Sequence, residues 1–288
     1  MSTTPVRDII FRCLFDIQSN NSHKLQQNAL QTLASITKVS PHNRNMLAQT
    51  DGAVALIFKL ALTEATETLA LSILFNLSLN PNLKSTLASD VNTIANLNSI
   101  VISPSSPDAG KIAASLMCSL AMLDKNKAMF GTAGTVQMLV EVISGPRCPA
   151  THHLVSTLAE LVQFHGNNTL AVRSGAVPTL LGVVESPDHE DIAGISIGIL
   201  VSLSRFQEGI DALRKTDRIV GTMIEVLKGK CMMSKEAATE LLLRLFEDGV
   251  ERLWVTPDLM SVLADVSTRG MGRARQNAGL LMRRLTSY

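Results

Sequence analysis

Aromatic side chains make up only 3% of the 288 residues, with a single tryptophan, Trp254, and a single tyrosine, Tyr288. That scarcity argues against a β-sandwich or any sheet built on cross-strand aromatic pairs. A charge bias is also missing: 26 Lys and Arg stand against 25 Asp and Glu, a formal net charge of +1. No general basic surface exists to hold a phosphate backbone, so nucleic acid is not the expected partner. The four cysteines, Cys13, Cys118, Cys148 and Cys231, lie far apart and form no Cys-x-x-Cys pair. Neither a disulfide framework nor a zinc ribbon follows, and a reducing compartment, cytoplasmic or nuclear, is expected. The opening residues, Met1 to Pro5, carry no basic segment followed by an apolar run, so no secretory signal is read. The longest uncharged apolar stretch, Thr68 to Leu83, contains Asn76, Asn80 and Asn82 and falls short of the roughly 18 to 20 residues that a membrane span needs.

What the chain has is apolar content, 46%, and periodicity. A small or aliphatic residue followed by apolar residues four and seven positions later recurs seven times: Ala29-Leu33-Ile36, Ala70-Leu74-Leu77, Ala113-Met117-Leu120, Leu154-Leu158-Leu161, Ser196-Leu200-Leu203, Ala238-Leu242-Leu245 and Ala278-Met282-Leu285. Successive starts differ by 41, 43, 41, 42, 42 and 40 residues. Each trio forms one stripe of a helix, and a period near 42 residues is that of a two- or three-helix solenoid repeat. Between the stripes lie a short polar-started helix and a second apolar run opened by Gly or Asp, as at Asp51-Gly-Ala-Val, Gly134-Thr-Val, Gly175-Ala-Val-Pro and Asp217-Arg-Ile. Breakers precede the long helix: Ser103-Pro-Ser-Ser-Pro-Asp, Ser144-Gly-Pro-Arg-Cys-Pro, Glu185-Ser-Pro-Asp, Lys228-Gly-Lys and Arg269-Gly-Met-Gly. Each unit thus reads as short helix, helix, turn, long helix.

These residues resemble the armadillo repeat over essentially the whole chain. The family pattern of Asn, then Gly-Ala-Ile/Val-Pro-x-Leu, then Asn-Ala-x-x-x-Leu-x-Asn-Leu-Ser is best matched by Asn167 to Leu181 and by Ala70 to Ser78. The last unit, from Ser267 to Leu285, with its basic segment ahead of Ala278-Gly-Leu-Leu-Met-Arg-Arg-Leu, is similar to the closing repeat of plant U-box ubiquitin ligases. The resemblance implies an all-α fold, a right-handed α-solenoid of about seven armadillo repeats with the first incomplete. It implies one domain over 1–288 with repeats at approximately 1–40, 41–80, 81–123, 124–165, 166–205, 206–247 and 248–288. In the first repeat, Val6 to Phe15 corresponds to a second helix and Ser22 to Lys38 to a third. That start exposes the face a preceding unit would cover, so either an upstream segment belongs there or the unit is a native cap.

Armadillo proteins bind extended peptides or partner helices along the groove lined by the long helices, here on the order of 60 to 70 Å long at ordinary helix spacings. In importin-like members a Trp at the third position of the stripe and an Asn at the seventh hold the peptide. The matching third positions are Gln31, Ser72, Ser115, Ser156, Gly198, Glu240 and Leu280, and the seventh are Ser35, Asn76, Ser119, Glu160, Ser202, Arg244 and Arg284. No tryptophan is among them, which weakens an importin-like cargo reading. The groove is expected to run from a small, serine-lined middle to an Arg-bearing carboxyl end that suits acidic or hydroxyl groups. Serines at such positions are explained equally by lack of room for larger residues. Arg244 and Arg284 also read as plain solvated charge.

No nucleophile, base and orienter constellation is visible, and no enzyme is expected. Cys148, His152, His153 and His165 have no metal-site spacing and read as a loop and helix starts, so neither metal nor cofactor is called for. Asp108-Ala-Gly-Lys111 lacks the rest of a phosphate loop. Ser-Pro pairs at Ser40, Ser103, Ser106 and Ser186 fall in turns; Ser103 and Ser106 are candidate phosphorylation sites, each gaining up to about two negative charges. The C-terminal arginines, Arg269, Arg273, Arg275, Arg283 and Arg284, suit an acidic partner or lipid headgroup. The expectation is a non-catalytic protein-binding module without a small-molecule substrate, either a recognition domain in a ubiquitin-ligase or signalling pathway or a free-standing adaptor. Ubiquitin transfer would need a U-box outside this chain.

Overall fold

The computed structural model describes residues 5–19, 22–186, 190–247 and 254–286. Among them run nineteen α-helices and no strand: α1 Val6–Gln18, α2 His23–Val39, α3 Pro41–Ala48, α4 Ala53–Ala61, α5 Glu67–Ser78, α6 Pro81–Leu87, α7 Val91–Ile102, α8 Pro107–Ala121, α9 Asp124–Thr132, α10 Thr135–Ser144, α11 Thr151–Leu161, α12 His165–Arg173, α13 Ala176–Glu185, α14 Glu190–Leu203, α15 Gln207–Arg214, α16 Ile219–Lys228, α17 Met232–Leu245, α18 Pro257–Arg269 and α19 Gly272–Thr286. Tyr288 and the Pro187-Asp188 step after Ser186 lie outside the described residues.

Local chemistry sets the boundaries. Gly52, Gly134 and Gly175 adopt φ of 72°, 76° and 83° directly before α4, α10 and α13. This left-handed backbone closes one helix and re-aims the chain into the next, and a Cβ there would be strained. Several starts pair a capping side chain with proline at the first helical position. The hydroxyls of Ser40, Ser106 and Thr256 accept the N–H groups of Asn43, Ala109 and Leu259 at 3.2, 3.1 and 3.2 Å, ahead of Pro41, Pro107 and Pro257.

Packing divides the chain into two compact units. The first comprises Met1–Met138 and Arg147–Glu160. In it α1 packs on α2, the long helices α2, α5 and α8 lie side by side, α4 packs on α5, and α7 on α8. The second comprises Leu139–Pro146 and Leu161–Tyr288. There α14, α17 and α19 form the row of long helices, with α13, α16 and α18 packed on them in turn.

The apolar stripes form the cores. Ala70, Leu74, Leu77, Ala113, Met117 and Leu120 are wholly buried in the first unit, as are Leu200, Leu203, Ala238 and Leu242 in the second. Each fully buried leucine contributes about 1.5 to 3 kcal/mol of transfer free energy. Ile36 of α2 and Met282 of α19 are only half-buried, near the two ends of the chain where fewer helices cover the stripe.

A recurring device closes the long helices. Asn126 Nδ2 in α9 donates to Leu120 O at 2.9 Å, and Asn167 Nδ2 in α12 donates to Leu161 O at 3.0 Å. Each amide stands six residues past the last stripe leucine and satisfies a carbonyl in the final helical turn. Gly209 occupies the corresponding place after Leu203, where a Cβ would come 2.0 Å from Leu203 O. There the short helix closes directly onto the long one, and only glycine fits.

Candidate functional site

The third and seventh stripe positions differ in exposure: Ser119 and Ser202 are buried, each 9% exposed, and the others are half-buried or exposed. In the first unit Ser72, Ser115 and Ser156 are half-buried. Their hydroxyls donate to the carbonyls four residues back, Thr68 O at 2.8 Å, Lys111 O at 2.7 Å and His152 O at 2.8 Å. In the second unit Ser202 does the same to Gly198 O at 3.1 Å. Such back-bonding uses the hydroxyl proton within the helix and leaves the oxygen as an acceptor. The serine faces are therefore small and acceptor-bearing.

Asn76 and Ser119 hold the first unit together. Asn76 Nδ2 donates from α5 to Ala34 O and to Thr37 Oγ1 of α2, both at 3.1 Å. Ser119, 9% exposed, accepts from Ser78 Oγ at 3.0 Å and donates to Ser78 O at 3.2 Å, linking α8 to α5. An amide is well placed mid-helix here because a neighbouring helix offers it two acceptors; its Oδ1 is what remains for a partner. A depression of about 340 Å³ opens beside it, lined by Ser35, Ser72, Phe75 and Asn76 among others.

Glu160 lies in an ion cluster. Lys127 Nζ of α9, with a side chain only 6% exposed, reaches Asp124 at 2.8 Å and Glu160 at 3.3 Å. Burial opposes the ammonium charge, but the hydrogen bonds it donates to the two carboxylates outweigh this and raise the Lys127 pKa.

In the second unit a Cβ added at Gly198 would meet nothing within 4 Å, so the face is open at that position. Glu240 faces Arg205 at 3.8 Å and Arg244 faces Glu247 at 3.5 Å. Arg284 Nη1 donates to Leu243 O at 3.4 Å. Glu240, Arg244, Glu247 and Arg284, with Arg273 and Leu280, line a cup of about 330 Å³ between α17 and α19. Three guanidinium groups stand in it against two carboxylates. Among the described residues the guanidinium groups of Arg273 and Arg284 make no ion pair, while the Arg273 backbone N–H donates to Glu236 Oε1 at 3.2 Å. Sequence reasoning placed Arg273 in the basic carboxyl end but not in this cup, because its position depends on the entry of α19.

The other singled-out residues are placed as follows. His152 and His153 are in the first turn of α11, Asp108 is in the first turn of α8 and Lys111 follows it in the second. Desolvation, then His152 and Lys111, lower the His153 pKa. Among the described residues no three His, Cys, Asp or Glu side chains gather into a metal-binding group, and no helix is long and apolar enough to cross a membrane. Ser40 and Ser106 are N-caps, Ser103 ends α7 and Ser186 ends α13.

No protein-family profile matches the chain. By sequence it is similar to U-box domain-containing protein 8 of Arabidopsis thaliana, 28% identical over 213 residues, covering 73% of this chain and 54% of that protein. It is also similar to U-box domain-containing protein 1 of Medicago truncatula, 31% identical over 123 residues, covering 41% of this chain and 18% of that one. The chain thus spans about half the length of the first of these relatives and less of the second. By structure it matches a designed armadillo repeat protein in complex with a (KR)4 peptide, with a TM-score of 0.71 at 14% identity, covering 84% of this chain and 100% of that one. The fold is the armadillo-repeat α-solenoid.

Proposed function

We propose that this armadillo-fold chain is a non-catalytic recognition module that holds a segment of a partner protein on the exposed faces of its long helices. The carrying observation is the cup between α17 and α19, where the guanidinium groups of Arg273 and Arg284 make no ion pair, the nearby Glu236 carboxylate being engaged by the Arg273 backbone N–H. A guanidinium offers its N–H groups in a fixed fork that suits carboxylate oxygens, so the segment that seats there carries acidic side chains. In the first unit, taken by itself, the acceptor oxygens of Ser72, Ser115 and Ser156 call for N–H groups from a partner. Gly198 leaves room for its backbone to approach. Likeness to U-box proteins supports a place in a ubiquitin-ligase pathway of cytoplasm or nucleus, with transfer chemistry residing in a different domain. A free-standing adaptor would use the same faces.

The test is fluorescence anisotropy with three matched peptide panels: acidic, its amide counterpart, and lysine-rich. They are measured against the native chain, an Arg273→Glu/Arg284→Glu variant and a Ser115→Trp variant. Acidic peptides are expected to bind tightest, to weaken at least about tenfold in the double variant and to weaken with added salt. Equal binding of all panels, or acidic binding unchanged in the double variant, would refute the cup. Ubiquitin-pathway proteins co-purifying with the native chain but lost from the double variant would support the ligase link; their retention by both would refute it.

A further inference from the structure

The turn between α7 and α8, Ser103-Pro-Ser-Ser-Pro107, contains two Ser-Pro steps in five residues. Its two candidate hydroxyls differ. Ser106 is half-buried and its Oγ accepts the Ala109 N–H at 3.1 Å, capping α8. Ser103 is exposed, with φ −138° and ψ 72°, and among the described residues its Oγ has no hydrogen-bond partner. Its backbone is non-helical, in keeping with the bias that a following proline imposes.

The turn is latched onto the body of the first unit at a defined point. The backbone N–H of Ser105 donates to Glu67 Oε2 at 3.0 Å. Glu67, the first residue of α5, is only 5% exposed. Among the described residues no cation pairs with it; the start of α5 and the Ser105 N–H are what hold its charge. Pro104 lies against the first turn of α8 so closely that a Cβ on Gly110 would sit 3.0 Å from Pro104 Cγ.

We propose that Ser103 is a phosphoacceptor for a proline-directed protein kinase, and that its phosphate unlatches the α7–α8 turn by repelling the buried Glu67 carboxylate. In the transfer, Ser103 Oγ attacks the γ-phosphorus of a nucleoside triphosphate. The Oγ–P bond forms as the bond from the γ-phosphorus to the β,γ-bridging oxygen breaks, the nucleoside diphosphate leaves, and the hydroxyl proton passes to the kinase's base. The product carries about two negative charges two residues from the N–H that grips Glu67, a Cα separation of at most about 7 Å. A dianion and a carboxylate lacking a counter-cation repel strongly when one is buried. The weak element is the single hydrogen bond of the latch, and its release uncovers the first turn of α8, the helix that bears Ser115. On Ser106 the same charge would sit at the N-terminus of α8, where the helix dipole favours it; the hydroxyl already capping that helix makes it the poorer acceptor.

The experiment is phosphorylation of the whole chain by a proline-directed kinase with Mg-ATP, followed by site mapping, amide hydrogen exchange and thermal unfolding. One phosphate on Ser103 is expected, absent from Ser103→Ala. Exchange across residues 105–110 should accelerate at least about tenfold, and the unfolding midpoint should fall by a few degrees. Glu67→Gln keeps an acceptor for Ser105 but removes the repulsion, so the modified and unmodified forms of this variant should exchange alike. If Glu67→Gln misfolds, salt replaces it: the exchange difference in the native chain should shrink between about 0.02 and 0.5 M, as screening requires. Phosphate mapped to Ser106 instead, no incorporation, unchanged exchange, or an effect that survives both Glu67→Gln and high salt would each overturn the proposal.

Discussion

Replacing Asn126 by alanine removes a buried amide, 3% exposed, whose Nδ2 donates to Leu120 O at 2.9 Å and Lys84 O at 3.1 Å. Both carbonyls keep a backbone partner, since Leu123 N–H reaches Leu120 O at 3.3 Å and Ala88 N–H reaches Lys84 O at 3.2 Å. The loss is therefore two ordinary hydrogen bonds and a small void rather than two orphaned groups, about 1 to 3 kcal/mol. Asn126→Asp keeps the shape but turns the donor into an anion facing two carbonyl oxygens. It should lose more, about 3 to 5 kcal/mol as for other unpaired buried charges, with about 0.3 to 1 kcal/mol returned by the nearby start of α9. Burial should raise that aspartate's folded pKa above its unfolded value, so the variant should regain stability as pH falls and lose it as pH rises through the folded pKa. Urea unfolding followed by circular dichroism at neutral and mildly acidic pH reads all three forms, with a constant slope required before stabilities are compared. Asn167→Ala repeats the test in the second unit. The reasoning fails if Asn126→Ala stays within about 0.5 kcal/mol of the native chain, or if the aspartate variant is as stable as asparagine at neutral pH.

Gly209→Ala should destabilise the second unit by about 3 kcal/mol, the upper end of overpacking, because its Cβ would meet the backbone oxygen of Leu203 at 2.0 Å and one helix must move; thermal unfolding checks this. Gly198→Ala meets nothing within 4 Å and should stabilise α14 by about 0.5 to 1 kcal/mol while weakening partner binding, a pairing that a purely structural glycine would not show. His153 has its pKa lowered below 6.5. Unfolded chains therefore bind a proton there before folded ones do, and stability should fall as pH drops from about 7 through 6.5 toward the folded value. His153→Asn should flatten that part of a stability-versus-pH profile.

The stripes were legible because burial of one helical face imposes a local period, and the 40- to 43-residue recurrence carried it along the chain. The glycines before α4, α10 and α13 were legible because a left-handed residue excludes nearly every other side chain. Asn126 and Asn167, 41 residues apart and each six past a stripe leucine, carried a readable signal as helix closures. Apart from that spacing, Asn167 stands out in the sequence only as the opening residue of the family pattern and Asn126 not at all, because a closure role is invisible until the carbonyl that the amide caps is in view.

Asn76 and Ser119 divide the two sources of information most sharply. Sequence alone determined that both lie off the core stripe of a long helix, since that follows from spacing within one helix. Only tertiary structure decided that Asn76 reaches Ala34 and Thr37, that Ser119 exchanges hydrogen bonds with Ser78, and that Glu67 grips Ser105 from 38 residues away. Such contacts depend on the axial offset between adjacent helices. The repeat length varies by up to three residues between units, and a slide of one residue, about 1.5 Å along a helix, is enough to make or break a hydrogen bond.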